Sequence, residues 1–122
     1  MYKRQHYVIS SIVNGGYLGE NGKIMKLHAR FKSNLEKISK KHPDLLTGPY
    51  GIGAMVAMTV FKGDEPKSKA FTIKLFENGV LSFMASGHPT TRVRFLMPVM
   101  ATEEKHIDDV CDIIEKTLTE IA

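Results

Sequence analysis

The stretch Phe71-Thr-Ile-Lys-Leu-Phe-Glu-Asn-Gly-Val-Leu-Ser-Phe-Met84 admits two folds, and the choice between them fixes how the rest of the chain is read. Phe71, Ile73 and Leu75 alternate with Thr72 and Lys74, the period of a half-buried strand. Asn78-Gly79 is the strongest short hairpin signal, with Val80–Met84 as the returning strand. The rival is a helix from about Pro66 to Glu77, capped by a left-handed Gly79 and followed by a strand from Val80. Local rules alone slightly favour the hairpin.

Upstream, Lys62-Gly-Asp-Glu-Pro66 reads as a loop. Gly51–Phe61 is an apolar run rich in strand formers and reads as one buried strand, reached from a link, Leu45–Tyr50, that contains Gly48-Pro49. Before the link, Ile24, Leu27, Phe31, Leu35 and Ile38 fall three or four apart on one helical stripe. Lys40 and Lys41 suit the negative end of that helix, and His42-Pro43 stops it, because the residue before proline avoids helical angles. Residues 5–18 have weak helical spacing (Ile9, Ile12, Val13, Tyr17), broken by Gly15-Gly16 and a turn-like Gly19–Gly22.

Downstream, Ser86-Gly-His-Pro89 is a turn and Arg92–Leu96 a strand. Thr102 is placed to cap a helix with Glu103 and Glu104 in its first turn. Ile107, Val110, Cys111, Ile114, Leu118 and Ile121 form its apolar stripe. This order predicts an α+β two-layer sandwich: a small antiparallel-type sheet of three or four strands with helices packed on one face. Residues 1–122 make one domain, with 1–22 a helical or linker segment and 23–122 the core.

Composition sets the outer bounds. The chain has 122 residues, 43% hydrophobic and 25% charged, ordinary values for a globular protein and unlike those of a disordered one. A single cysteine, Cys111, excludes an internal disulfide and a cysteine-rich zinc module. No apolar run nears the roughly 18 residues of a membrane span, and no small-residue cleavage site follows the basic N-terminus, so a cytoplasmic protein is expected. Residues 1–42 carry nine Lys and Arg against two acids, whereas residues 43–122 carry eight against eleven. The basic helix could bind phosphates, but it lacks aromatic interleaving and reads as a solvated face, so nucleic acid is not expected as a partner.

Few residues stand out chemically. Gly51-x-Gly53 lacks the third glycine of a dinucleotide fingerprint and precedes a strand, where glycines serve tight turning. His6, His28, His42, His88 and His106 show no metal-ligand spacing. Cys111 lies on an apolar stripe, as a small core residue would. His88, in the Gly-His-Pro turn, reads as exposed. Arg92 and Arg94 alternate with Val93 and Phe95 and leave one face of the strand. At the edge of a core, the planar fork of Arg94 calls for an anion, either a structural carboxylate or a ligand.

These pieces, taken in order, resemble the C-terminal small domain of class III, fold-type I, pyridoxal-phosphate aminotransferases, which include the acetylornithine, ornithine and 4-aminobutyrate enzymes. The resemblance covers about residues 20–121. A helix ends in Lys40-Lys-His-Pro43, and Gly51-Ile-Gly-Ala-Met55 is similar to the family's Gly-x-Gly-Leu-Met. Glu77-Asn-Gly-Val-Leu81 matches the family's helix-to-strand turn, and Val93-Arg-Phe-Leu-Met-Pro-Val-Met-Ala-Thr-Glu-Glu104 its following Arg-Leu-Leu-Pro-Pro stretch. Met97-Pro98 departs from the commoner Pro-Pro, which leaves the substrate subclass open.

The resemblance implies a helix over 66–78 capped by Gly79, so the hairpin is set aside. It implies that Arg94 holds a substrate carboxylate, with Arg92 its exposed or structural neighbour. It also implies a pyridoxal phosphate cofactor in the complete enzyme. The family's Schiff-base lysine, pyridinium partner and phosphate loop lie in a large domain that nothing here matches. The chain alone is therefore expected to hold no cofactor and no metal, to carry no catalytic residue and to be inactive. Its expected partners are a large cofactor-binding domain or subunit, or another copy of itself, and a carboxylate-bearing amino acid. The rival reading is a free-standing, non-catalytic binding or interaction module derived from that domain.

Overall fold

The computed structural model describes residues 2–86 and 90–122. The sheet is built from β1 (Leu46–Ile52), β2 (Met55–Val60), β3 (Phe83–Ala85) and β4 (Arg92–Leu96), in the order β1-β2-β4-β3 and antiparallel throughout. The helices are α1 (Tyr2–Asn14), α2 (Lys23–Lys41), α3 (Glu65–Glu77) and α4 (Glu104–Ile121). The α+β arrangement expected from the sequence is the observed one.

The stretch 71–84 is helix, turn and strand. Asp64 caps α3, its side chain accepting from the Lys67 amide at 2.9 Å. Pro66 occupies the first turn, where a missing N–H costs nothing. At the far end Gly79 has φ +95°, and the Val80 amide reaches back to the Leu75 carbonyl at 2.9 Å. Phe71 and Leu75 are fully buried under the sheet, which is what overrides the local hairpin signal. Strand β3 is shorter than the expected Val80–Met84.

Two further expectations are corrected. The stretch 45–50 is not a link, and 51–61 is not one strand. Both belong to a hairpin in which Ile52 pairs with Met55 across a Gly53-Ala54 turn. Turn residues within β1 hid it: the register shifts between Thr47 and Tyr50, at Gly48-Pro49, so the strand carries a bulge. Gly51 has φ +98°, and a Cβ there would lie 2.6 Å from the Met55 carbonyl oxygen. Thr102 does not cap α4, because its hydroxyl donates to the Pro98 carbonyl. Glu103 is the cap: its amide donates to Nδ1 of His106, and the His106 amide donates back to Glu103.

Val56, Met58, Val60, Val93 and Phe95 point from the sheet into the core. They meet Leu27, Phe31, Leu35 and Ile38 of α2, Phe71 and Leu75 of α3, and Ile107, Ile114 and Leu118 of α4. Phe31 and Phe95 pack edge to face at 5.6 Å. All three helices lie on this one face. Helices α2 and α4 run side by side, joined by Arg30 to Asp108 at 2.7 Å, Asn34 to Asp108 at 2.8 Å and His42 to Glu115 at 2.9 Å. Helix α1 has no buried residue and leaves Tyr7, Ile9 and Val13 exposed.

Candidate functional site

The opposite face of the sheet is bare of helices. β4 alternates strictly, with Val93 and Phe95 buried and Arg92, Arg94 and Leu96 exposed. Arg94 sits in the middle of a cross-strand row, beside Ala57 of β2 and Phe83 of β3, with Tyr50 of β1 beyond Ala57. The next row is Ile52, Met55 and Leu96. Tyr50, Ile52, Met55, Phe83 and Leu96 are all exposed, so Arg94 rises from an apolar surface.

Two shallow depressions meet at Arg94. One, of about 330 Å³, is lined by Tyr50, Gly51, Met55, Ala57, Ala85, Arg92 and Arg94. The other, of about 310 Å³, is lined by Met55, Phe83, Met84, Arg94 and Leu96. No ion pair or side-chain hydrogen bond engages Arg94 among the described residues. The structural-carboxylate reading thus finds no partner there. A guanidinium with its fork free is a preformed receptor for a planar anion. Arg92 lies across β2, its guanidinium carbon 4.6 Å from the Tyr50 ring centroid.

The other singled-out residues are placed elsewhere. His28 is buried, with Nδ1 3.1 Å from the Gly53 carbonyl, so it donates there and ties α2 to the hairpin turn. His42 meets Glu115, and His106 belongs to the α4 cap. His6 lies on α1, and His88 lies outside the described residues. Burial pushes the Cys111 thiol up to about 12, which keeps it protonated and unreactive. Among the described residues no three His, Cys, Asp or Glu are grouped to hold a metal, and no helix is long and apolar enough to cross a membrane. Sequence reasoning missed Tyr50 and Phe83 as walls of the Arg94 site. The alternation of β4 was available, but the strands beside it were obscured by Gly48-Pro49 and by the shortness of β3.

The fold is similar to that of solved aminotransferases. Lysine aminotransferase from M. tuberculosis superposes with a TM-score of 0.82 over 98% of this chain and 25% of its own, at 17% identity. Acetylornithine aminotransferase from Elizabethkingia anophelis gives 0.68 over 80% of this chain and 24% of its own, at 31% identity. Ornithine δ-aminotransferase of Plasmodium falciparum gives 0.66 at 27% identity, over 81% of this chain and 24% of its own. The chain resembles the small domain of class III aminotransferases. It spans about a quarter of the length of each of these structures. Neither a family model nor a curated protein sequence matches it.

Proposed function

We propose that this chain works as the small domain of a class III pyridoxal-phosphate aminotransferase, closing over the cofactor and holding the substrate carboxylate on Arg94. The observation that supports this reading is a guanidinium without a carboxylate partner among the described residues, central on a helix-free sheet face, in a chain whose fold is similar to part of such aminotransferases. A carboxylate meeting Arg94 gains two parallel charge-assisted hydrogen bonds. The apolar rim of Tyr50, Ile52, Met55, Phe83 and Leu96 would shed water as a second domain covers it, which strengthens that ion pair. Fixing the carboxylate at one end orients the amino group at the other.

The residues lining the Arg94 depressions include no lysine, so this face has no amine to bond the cofactor carbonyl. Pyridoxal phosphate is therefore assigned to the remaining three quarters of the enzyme, where it supplies the electron sink of the reaction. The chain's own part is binding, orientation and exclusion of water. In the rival reading, a non-catalytic module, the same face binds a carboxylate metabolite or another polypeptide.

The test measures binding and turnover together. The pure chain with added pyridoxal phosphate is expected to give no transamination, and measurable turnover would overturn the division of labour. In the enzyme reconstituted with its cofactor domain, Arg94→Ala is expected to raise KM for the amino acid strongly with the fold retained. Arg94→Lys should restore only part, because an ammonium cannot offer the fork. An unchanged KM in Arg94→Ala would overturn the role of Arg94.

A further inference from the structure

An apolar hollow of about 210 Å³ opens on the helix-covered side of the sheet, between the end of β4, α2 and the first turns of α4. We propose that it binds a small neutral aromatic carbonyl compound, whose ring fills the hollow and whose oxygen accepts from Nε2 of His106. Neither Arg92 nor Arg94 lines it, so the site is independent of the Arg94 reading. Phe31 of α2, Phe95 of β4 and Ile107 of α4 form its buried wall. Phe31 and Phe95 already pack edge to face, and a third ring can join such a pair in the same manner. Met97 adds a polarizable sulfur suited to the edge of a ring.

The hollow is open to solvent. Leu81 and Leu96 line it while 65% and 58% exposed, so they make an apolar mouth. Gly79 lines it as well, and a Cβ there would meet no atom within 4 Å, so that side is unfilled. A drug-sized ligand takes a pocket of roughly 300 Å³ or more, so this smaller one suits a single substituted ring.

The polar atoms of the lining select the rest of the ligand. Among the described residues the lining includes no lysine, arginine, aspartate or glutamate. A charged ligand would lose its hydration there with nothing to pair with, which selects a neutral one. Thr102 and His106 are the polar side chains of the lining. The Thr102 hydroxyl donates to the Pro98 carbonyl at 3.0 Å. The Glu103 amide donates to Nδ1 of His106 at 3.0 Å, so that nitrogen carries no proton and Nε2 does. The capping bond is the one side-chain hydrogen bond of His106 among the described residues, which leaves its Nε2–H as a single free donor beside an apolar cavity. A ring bearing one carbonyl oxygen complements both parts.

The experiment titrates the full chain with acetophenone and with α-methylstyrene, in which a methylene group replaces the oxygen, following backbone amides and the Nε2 resonance of His106. Both probes are expected to shift the amides of Leu81, Met97 and Val110, and acetophenone alone the Nε2 resonance. Val110→Phe, which fills the hollow, should abolish binding of both. His106→Leu should weaken acetophenone about fivefold, the loss of one hydrogen bond, and leave α-methylstyrene unchanged. His106→Gln keeps an oxygen for the Glu103 amide and an N–H for the ligand, so it should retain most of the acetophenone affinity. If His106→Leu loosens the α4 cap and weakens both probes, the Nε2 resonance of the unmodified chain decides. No amide shift with either probe at its solubility limit, or shifts that persist in Val110→Phe, would overturn the hollow as a binding site. An Nε2 resonance moved alike by both probes, or acetophenone binding unchanged in His106→Leu, would overturn the His106 contact.

Discussion

Arg94 costs the fold little and has no bond to lose within it, since it is exposed and unpaired among the described residues. Its replacement by alanine is expected to move stability by less than about 0.5 kcal/mol, as at other exposed positions, while abolishing the carboxylate response. Urea unfolding beside the ligand titration separates the two effects. Asp108 is the opposite kind of residue. Hydrogen bonds from Arg30 and then from Asn34 hold its carboxyl at about 2, below the ordinary 3.8. A folded-state value below the unfolded one stabilises the fold at all pH above about 4 and loses that support as pH falls towards 2. Thermal unfolding of Asp108→Asn should therefore lie below the unmodified chain at pH 6 and converge with it near pH 2. A constant gap across that range would contradict the assignment. Residue chemistry of this kind was only partly legible in the sequence. The shared face of Arg92 and Arg94 follows from the alternation of β4, but their lack of partners and the Tyr50 stack depend on strands distant in the chain.

Helix α3 shows why one element was hard to read. Phe71, Ile73 and Leu75 alternate by accident of composition: Phe71 and Leu75 face the core, while Ile73 is exposed. The decisive feature is Gly79 at φ +95°, where a Cβ would meet no atom within 4 Å. The cost of alanine there is thus backbone strain alone, about 1–2 kcal/mol. A loss of unfolding free energy of that size in urea, with the carboxylate response unmoved, is expected, and no loss would mean the cap is not left-handed in solution. Helices α2 and α4 were legible because long 3.6-residue stripes leave no rival period. The β1–β2 hairpin was not, since its bulge at Gly48-Pro49 places turn residues inside a strand. The Thr102 cap failed for a local reason: the hydroxyl is taken by the Pro98 carbonyl, and Glu103 with His106 does the capping.

At the scale of the whole molecule, one sheet face is sealed by three helices and the other is open, apolar and positively charged at its centre. On α2, Arg30 pairs with Asp108 and Glu104 and Lys41 with Glu115 of α4, whereas Lys23, Lys26, Lys37 and Lys40 make no ion pair among the described residues. Without aromatic side chains interleaved among them these cations read as a solvated face, and binding to duplex DNA should be absent even at low salt. Salt-sensitive retention on DNA would contradict this. Helix α1 leaves its apolar residues uncovered, as does the open sheet face. Both suit a protein that finishes its fold against another domain. The most direct measurement isolates the native protein from its source cells and asks what accompanies these 122 residues. The account predicts a cofactor-bearing domain, on the same or a second polypeptide, with the absorbance of bound pyridoxal phosphate. A chain that emerges alone or only with copies of itself, without that absorbance, would contradict it.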